Sequence, residues 1–307
     1  EERHHDAALW NDHATTARVR VLAEYWRISR NRPDYDPAVG RAILEQAARY
    51  GTVLASPGHF TFSTNHGVMQ NLGLLQLSLA FPVLPGARGY RQVALERLAR
   101  QLPFFMEVGG VIRENSAGYQ AFGMDILAKI FRCMTLLGDP IPGSWSGRYE
   151  MGLRFLDVLR RPDGTLPATG DTDGASLGAY PAVTRVDSLG RAGRLTAYRA
   201  AMPDRATTVH PAAGYWVDWS GLEEWPAGGA VSQTVATWTR PPAPGHKHAD
   251  ELSVQLWSAG TSWLTGVGYW PYTDPGRSEA EGWNGSNAPH KAGEGFSSPR
   301  TAQLLAL

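Results

Sequence analysis

The chain has 307 residues, 43% of them hydrophobic, enough apolar surface for one large globular domain or two ordinary ones. Its 29 lysines and arginines balance 29 aspartates and glutamates, so no net field recruits nucleic acid or an anionic membrane; any anionic ligand is held by local groups. No apolar run reaches the ~18 residues of a membrane span. The opening Glu1-Glu2-Arg3-His4-His5 is not a leader pattern, which leaves export open. A single cysteine excludes a disulfide framework, and Cys133, within the apolar stretch 126–137, reads as a buried, inert thiol.

Over the first two thirds of the chain the apolar spacing is helical. Segments 38–50, 67–81, 90–105, 121–137 and 149–159 repeat near i, i+3, i+4, and Gly/Pro punctuation such as Ser56-Pro57-Gly58 and Leu84-Pro85-Gly86 separates them. This predicts a series of helical hairpins. After about Ala206 the segments become short, aromatic or β-branched: 214–219, 230–239, 252–257 and 261–264 read as strands between Gly/Pro turns. The pattern predicts an α+β multidomain chain, with an α-helical domain over 1–205, an antiparallel β domain over 206–307 and a boundary near 205–211.

Three short segments carry groups suited to chemistry. Asn65 and His66 precede an amphipathic helix. Read alone, Asn65 is a cap and His66 a polar surface residue. Tyr119 follows Glu114-Asn115-Ser116 at the start of another apolar helix, and two helix starts opening on one face of a helical array would share a cleft. His246 and His248, two apart in His246-Lys247-His248-Ala249-Asp250, face one side if the segment is an extended strand following the loop Arg240–Gly245. Such a run also suits a metal, since imidazoles and a carboxylate are zinc ligands. Together these segments supply an amide, imidazoles and a phenol, the groups needed to remove a proton beside a carboxylate and steady the resulting anion.

In this order and rough separation, Asn65-His66, the Tyr119 segment and the His246–Asp250 run resemble the heparinase II/III-like polysaccharide lyases, a group that includes alginate and glycosaminoglycan lyases. Trp10-Asn11-Asp12-His13-Ala14-Thr15 and Gly170-Asp171-Thr172-Asp173 extend the resemblance over most of the chain. It implies an incomplete (α/α) toroid followed by an antiparallel β-sandwich, and a β-elimination lyase, secreted or periplasmic, acting on an anionic polysaccharide with a uronic acid. Tyr119 would protonate the departing glycosidic oxygen and, in a syn reaction, remove the C5 proton. Asn65 and His246 would bind the uronate carboxylate as its charge grows, and His66 would be the base on the opposite face. Gln70, Arg113, Glu114 and Lys247 are the accompanying substrate contacts. A phenol of pKa near 10 is a poor base at neutral pH, so a neighbouring imidazolium or guanidinium such as Arg113 would have to lower it.

The resemblance implies no organic cofactor but a structural zinc on His248. Here the chain departs from the pattern: Trp263-Leu264-Thr265-Gly266-Val267-Gly268 lacks the aspartate expected after the next strand. His290 offers a second imidazole, with Asp250 or Asp274 as substitute carboxylates. The chain is also short for the architecture, as for a short variant or an incomplete chain, and an exposed edge of an unfinished sheet would favour a homo-oligomer. Two other readings compete. One is a degenerate, lyase-like carbohydrate binder. The other is an inverting glycoside hydrolase using Glu114 with Asp171 or Asp173, although these aspartates equally suit a backbone-capping turn.

Overall fold

A computed structural model describes residues 10–173, 202–226, 230–238, 245–294 and 305. The helical reading of 174–200, the loop before His246 apart from Gly245, and the chain end apart from Leu305 fall outside the described residues. The elements in order are helices α1 (Asp12–Ser29), α2 (Pro37–Ala55), α3 (Asn65–Ala80), α4 (Ala87–Phe105), α5 (Ala117–Leu137) and α6 (Gly143–Leu159). Strands β1 (Thr207–His210), β2 (Tyr215–Ser220), β3 (Ser232–Thr237), β4 (Val254–Ser258) and β5 (Thr261–Leu264) follow, then the short helix α7 (Arg277–Glu281). Helices followed by an antiparallel sheet is the organisation expected. Two local readings change. Strand β1 lies where a domain boundary was expected, because Thr207-Thr208-Val209-His210 is too short to show alternation. His246–Asp250 is irregular backbone, not a strand.

The chain divides into two compact units. Among the described residues, one unit comprises 10–105 and 126–146, and the other 106–125, 147–173 and the residues from 202 onward. The helix-to-strand change near residue 205 is a different cut from this one.

In the first unit α3 packs against α1, α2 and α4. Its apolar residues surround the axis, as they must in a helix with neighbours on several sides, and Val68, Leu72, Leu74, Leu75 and Leu77 are buried. The polar groups taken in with it are paired. Asn71 Nδ2 donates to Gln101 Oε1 (2.9 Å), and Gln101 Nε2 donates to Phe62 O (2.7 Å). Arg97 reaches the end of α2, donating to Leu54 O (2.7 Å) and Ala55 O (2.8 Å), carbonyls that the helix itself leaves unbonded. Cys133 is buried as expected, and burial pushes its thiol pKa up to about 11.

In the second unit the strands form one antiparallel sheet in the order β1-β2-β3-β4-β5. The registers Val217↔Val235 and Gln233↔Trp257 put alternate residues of β2, β3 and β4 on one buried face. That face packs on Ala117 and Ala121 of α5 and on Phe155, Leu156 and Leu159 of α6. Docking is specific because sheet side chains satisfy the C-terminal carbonyls of α6. Trp219 Nε1 donates to Val158 O (2.9 Å) and Gln233 Nε2 donates to Leu159 O (2.9 Å).

Candidate active site

Tyr119 stands in the first turn of α5, and hydroxyls from two chain segments fix that turn. Ala117 N donates to Thr169 Oγ1 (3.1 Å), Gly118 N to Thr172 Oγ1 (3.0 Å) and Tyr119 N to Ser116 Oγ (3.3 Å). These are amides that a helix leaves without internal partners, so the 169–172 loop doubles as the cap of α5. Gly170 makes the approach possible. Its φ of +52° suits glycine, and a Cβ there would overlap His246 O and Asn115 O. His246 and Asn115 themselves have φ of +59° and +57°, a left-handed backbone uncommon outside glycine and associated with functional sites.

The next residue, Asp171, is the hub. Its side chain has no solvent exposure. Oδ2 accepts from His246 Nδ1 (2.9 Å) and from the Tyr272 hydroxyl (3.1 Å), and Oδ1 accepts from His248 Nε2 (2.8 Å). Arg277 Nη2 donates to both oxygens, at 3.2 and 3.0 Å. Burial alone would raise the carboxyl pKa, but the hydrogen bonds from His246 and His248, the charge of His248 and the Arg277 contact outweigh it and hold Asp171 far below the usual carboxylate range. Since an ionised carboxylate only accepts, His246 Nδ1 and His248 Nε2 each carry a proton toward it. The two histidines thus face one partner, as their spacing suggested, although loop geometry and not a strand brings this about.

The Tyr119 ring stacks on His246 with centroids 3.5 Å apart, and its hydroxyl lies 3.5 Å from that of Tyr272, which is also 3.0 Å from His246 Nδ1. Burial raises the Tyr119 pKa; the Tyr272 hydrogen bond opposes this, while the charges of Asp171 and Glu114 add to it. The lowering that a phenol base would need is absent here, so the resting phenol holds its proton. Glu114 lies on the other imidazole nitrogen, with Oε2 3.4 Å from His246 Nε2. Glu114 and Asp171 therefore grip two sides of one ring.

The remaining expected contacts are placed as follows. Arg113 pairs with Glu107 at 3.6 Å. Lys247 pairs with Glu251 and donates to His248 O (2.8 Å). In the first unit, Asn65 is the buried first residue of α3, after Thr64 as N-cap. Gln70 is buried, with Nε2 donating to His59 O (2.7 Å) and Asp12 Oδ2 (3.3 Å). His66 Nδ1 lies 2.8 Å from Asp12 Oδ1, and its ring stacks on His13 at 4.0 Å.

Around His248 the ligand-type atoms of Asp171 and Glu281 converge, all three within 4.8 Å of one another. His290 is not among them: it is exposed, its Nδ1 lies 3.0 Å from Ala288 O, and it stacks on Trp283. Asp250 Oδ2 instead accepts from Gly170 N (3.3 Å). The set does not fit a zinc as it stands, because Arg277 pairs with both carboxylates. Sequence reasoning missed Tyr272, Arg277 and Glu281. The i, i+4 spacing of Arg277 and Glu281 on α7 was the available signal.

Comparison with known proteins now has a site to attach to. No curated protein matches the chain. Among solved structures, heparinase III is similar with a TM-score of 0.69 at 15% identity, covering 90% of this chain and 46% of that one. The heparan sulfate lyase HepC from Pedobacter heparinus is similar with a TM-score of 0.63 at 19% identity, covering 90% of this chain and 44% of that one. The chain thus spans less than half the length of these proteins, and at such identities the likeness shows the shared fold. Two family models match in succession, the heparinase II/III N-terminus over residues 1–180 and the heparinase II/III-like C-terminal model over 203–292. With the first of these covering more than half of its residues, the chain belongs to the heparinase II/III-like family.

Proposed function

We propose that the chain is a polysaccharide lyase that cleaves an anionic, uronate-containing polysaccharide by β-elimination. The observation that carries this reading is the phenol of Tyr119 stacked on His246, with Asp171 and Tyr272 fixing the imidazole. Proton removal at C5 places charge on the uronate carboxylate, and His246, oriented by Asp171 and exchanging its 3.4 Å Nε2 contact with Glu114 for that carboxylate, would bind it more strongly as the charge develops. Tyr119, its pKa raised, is suited to give its proton to the departing oxygen. That leaves the C5 proton to another group. His66, with Nδ1 held by Asp12, has the form of an oriented general base whose Nε2 would take the proton. The roles of Asn65 and His66 rest on the family resemblance and on this local geometry.

The finer parts of the reading go with it: an incomplete (α/α) toroid and a β-sandwich, a secreted or periplasmic site of action, and substrate contacts from Arg113, Glu114, Gln70 and Lys247. The likeness to heparinase folds supports them. The hydrolase reading that pairs Glu114 with Asp171 is disfavoured, since an acid and a base on either side of a glycosidic bond cannot both be committed to one imidazole; the pairing of Glu114 with Asp173 is decided by the product of cleavage.

The test is near-ultraviolet absorbance of unsaturated uronate during incubation with heparan sulfate, chondroitin sulfate, hyaluronan and alginate, run beside Tyr119→Phe. A rise on one polymer that the variant abolishes supports elimination. Reducing ends without that absorbance would mean hydrolysis, and binding without cleavage would mean a degenerate lyase; either result overturns the proposal.

A further inference from the structure

We propose that Arg277 is the resident cation of the Asp171–His248–Glu281 cluster, so that this chain holds the loop carrying His246 and His248 with a guanidinium and binds no zinc there. Three observations lead to this. First, Arg277 Nη2 bridges both oxygens of Asp171, at 3.2 and 3.0 Å, and also pairs with Glu281, so one fixed positive charge already contacts both anionic members of the cluster. Second, the guanidinium is anchored on other sides. It lies 4.0 Å over the Tyr272 ring and donates through Nη1 to Trp270 O, which makes it a built component and not a passing surface charge. Third, the spacing is that of hydrogen bonds. His248 Nε2 and Asp171 Oδ1 are 2.8 Å apart, whereas two tetrahedral zinc ligands at usual bond lengths stand about 3.3 Å apart.

Charge accounting points the same way. A divalent ion added to this cluster would sit within a few ångströms of a guanidinium already bound to the same carboxylate, and the two like charges would repel. Arg277 therefore acts as a positioning residue. By holding Asp171 it orients His246, and the short helix α7 presents Arg277 and Glu281 one turn apart on one face.

The test needs no turnover, so its failure is distinguishable from failure of the lyase reading. The full chain is purified with zinc in the medium, its metal content is measured, and its melting temperature is followed with and without EDTA. The expected result is below about 0.1 zinc per chain and no shift on chelation. In parallel, Arg277→Ala leaves two carboxylates beside His248 and is expected to melt lower and to gain zinc affinity by about tenfold or more in a titration with zinc chloride. Arg277→Lys, which keeps the charge, controls for general loss of folding and should remain free of zinc. One equivalent of zinc in the native chain with a fall in melting temperature on chelation would overturn the proposal, as would an Arg277→Ala variant that is as stable as the parent and no better at binding zinc.

Discussion

The Tyr119 ring lies almost parallel to the His246 imidazole, 17° from coplanar at 3.5 Å between centroids. Stacking at this distance fixes the phenol relative to an imidazole that Asp171 has already oriented, so the hydroxyl is aimed without any bond of its own to the backbone. Ring and hydroxyl can then be separated by mutation. Tyr119→Phe keeps the stack and should leave the melting temperature within a degree or two of the parent while kcat falls about a hundredfold or more. Tyr119→Ala should lose both. Equal destabilisation by the two variants would show that the hydroxyl, not the ring, carries the structural role.

Among the described residues, the Tyr272 hydroxyl lies within reach of Tyr119, His246 and Asp171 together, at 3.5, 3.0 and 3.1 Å. Tyr272→Phe removes a donor to Asp171 while His246, His248 and Arg277 continue to hold the carboxylate. The expected loss is therefore partial, about tenfold in kcat with KM little changed. A KM rise without a kcat change would instead place Tyr272 among the substrate contacts.

Much of this arrangement was legible in the sequence, for reasons that differ by residue. Helices α2 to α6 follow from apolar spacing, and strands β2 to β5 from short aromatic or β-branched segments set between Gly/Pro turns. Tyr119 and His246 stood out because each sits in a short polar motif whose order along the chain matches a known family. The same signal did not reveal Asp171 as the hub: Gly-Asp-Thr is equally a turn, and its role depends on a backbone approach at Gly170 that only the fold supplies. Tyr272 and Arg277 lie more than 25 residues after His246 and about 100 after Asp171, in an aromatic, Pro-containing segment outside the motifs that carry the resemblance. Long-range pairings of that kind leave no local trace.

Gly170 is a position in the candidate site where the backbone has little freedom. Its φ of +52° and the overlap that a Cβ there would make with His246 O and Asn115 O mean that alanine must displace either the His246 loop or the approach to α5. Gly170→Ala should cost about 3 kcal/mol or more, through both the backbone conformation and the overlap. Surviving activity should fall with it, since the loop that moves also carries Asp171. Denaturant unfolding beside Tyr119→Phe is the check. A variant of parental stability would mean that the loop has a second, equally good path.

Asp12 permits a prediction about pH in which the sign follows from its partners. Burial would raise its carboxyl pKa, but the hydrogen bond and charge of His66 and the backbone amide of His13 outweigh this and hold it below the ordinary value. A depressed carboxylate stabilises the folded state wherever it is ionised in the unfolded chain, above about pH 4, and that contribution fades as pH falls through the lower, folded value. Asp12→Asn resembles the protonated acid at every pH. It should therefore be less stable than the parent at pH 7, by about 1 kcal/mol given that His66 stands partly in solvent. The gap should close below about pH 4. Melting temperatures of both proteins from pH 7 downward test this directly. A gap that stays constant into acid would mean that Asp12 acts through its shape in the α1–α3 contact, and the proposal of His66 as an Asp-oriented base would lose its electrostatic support.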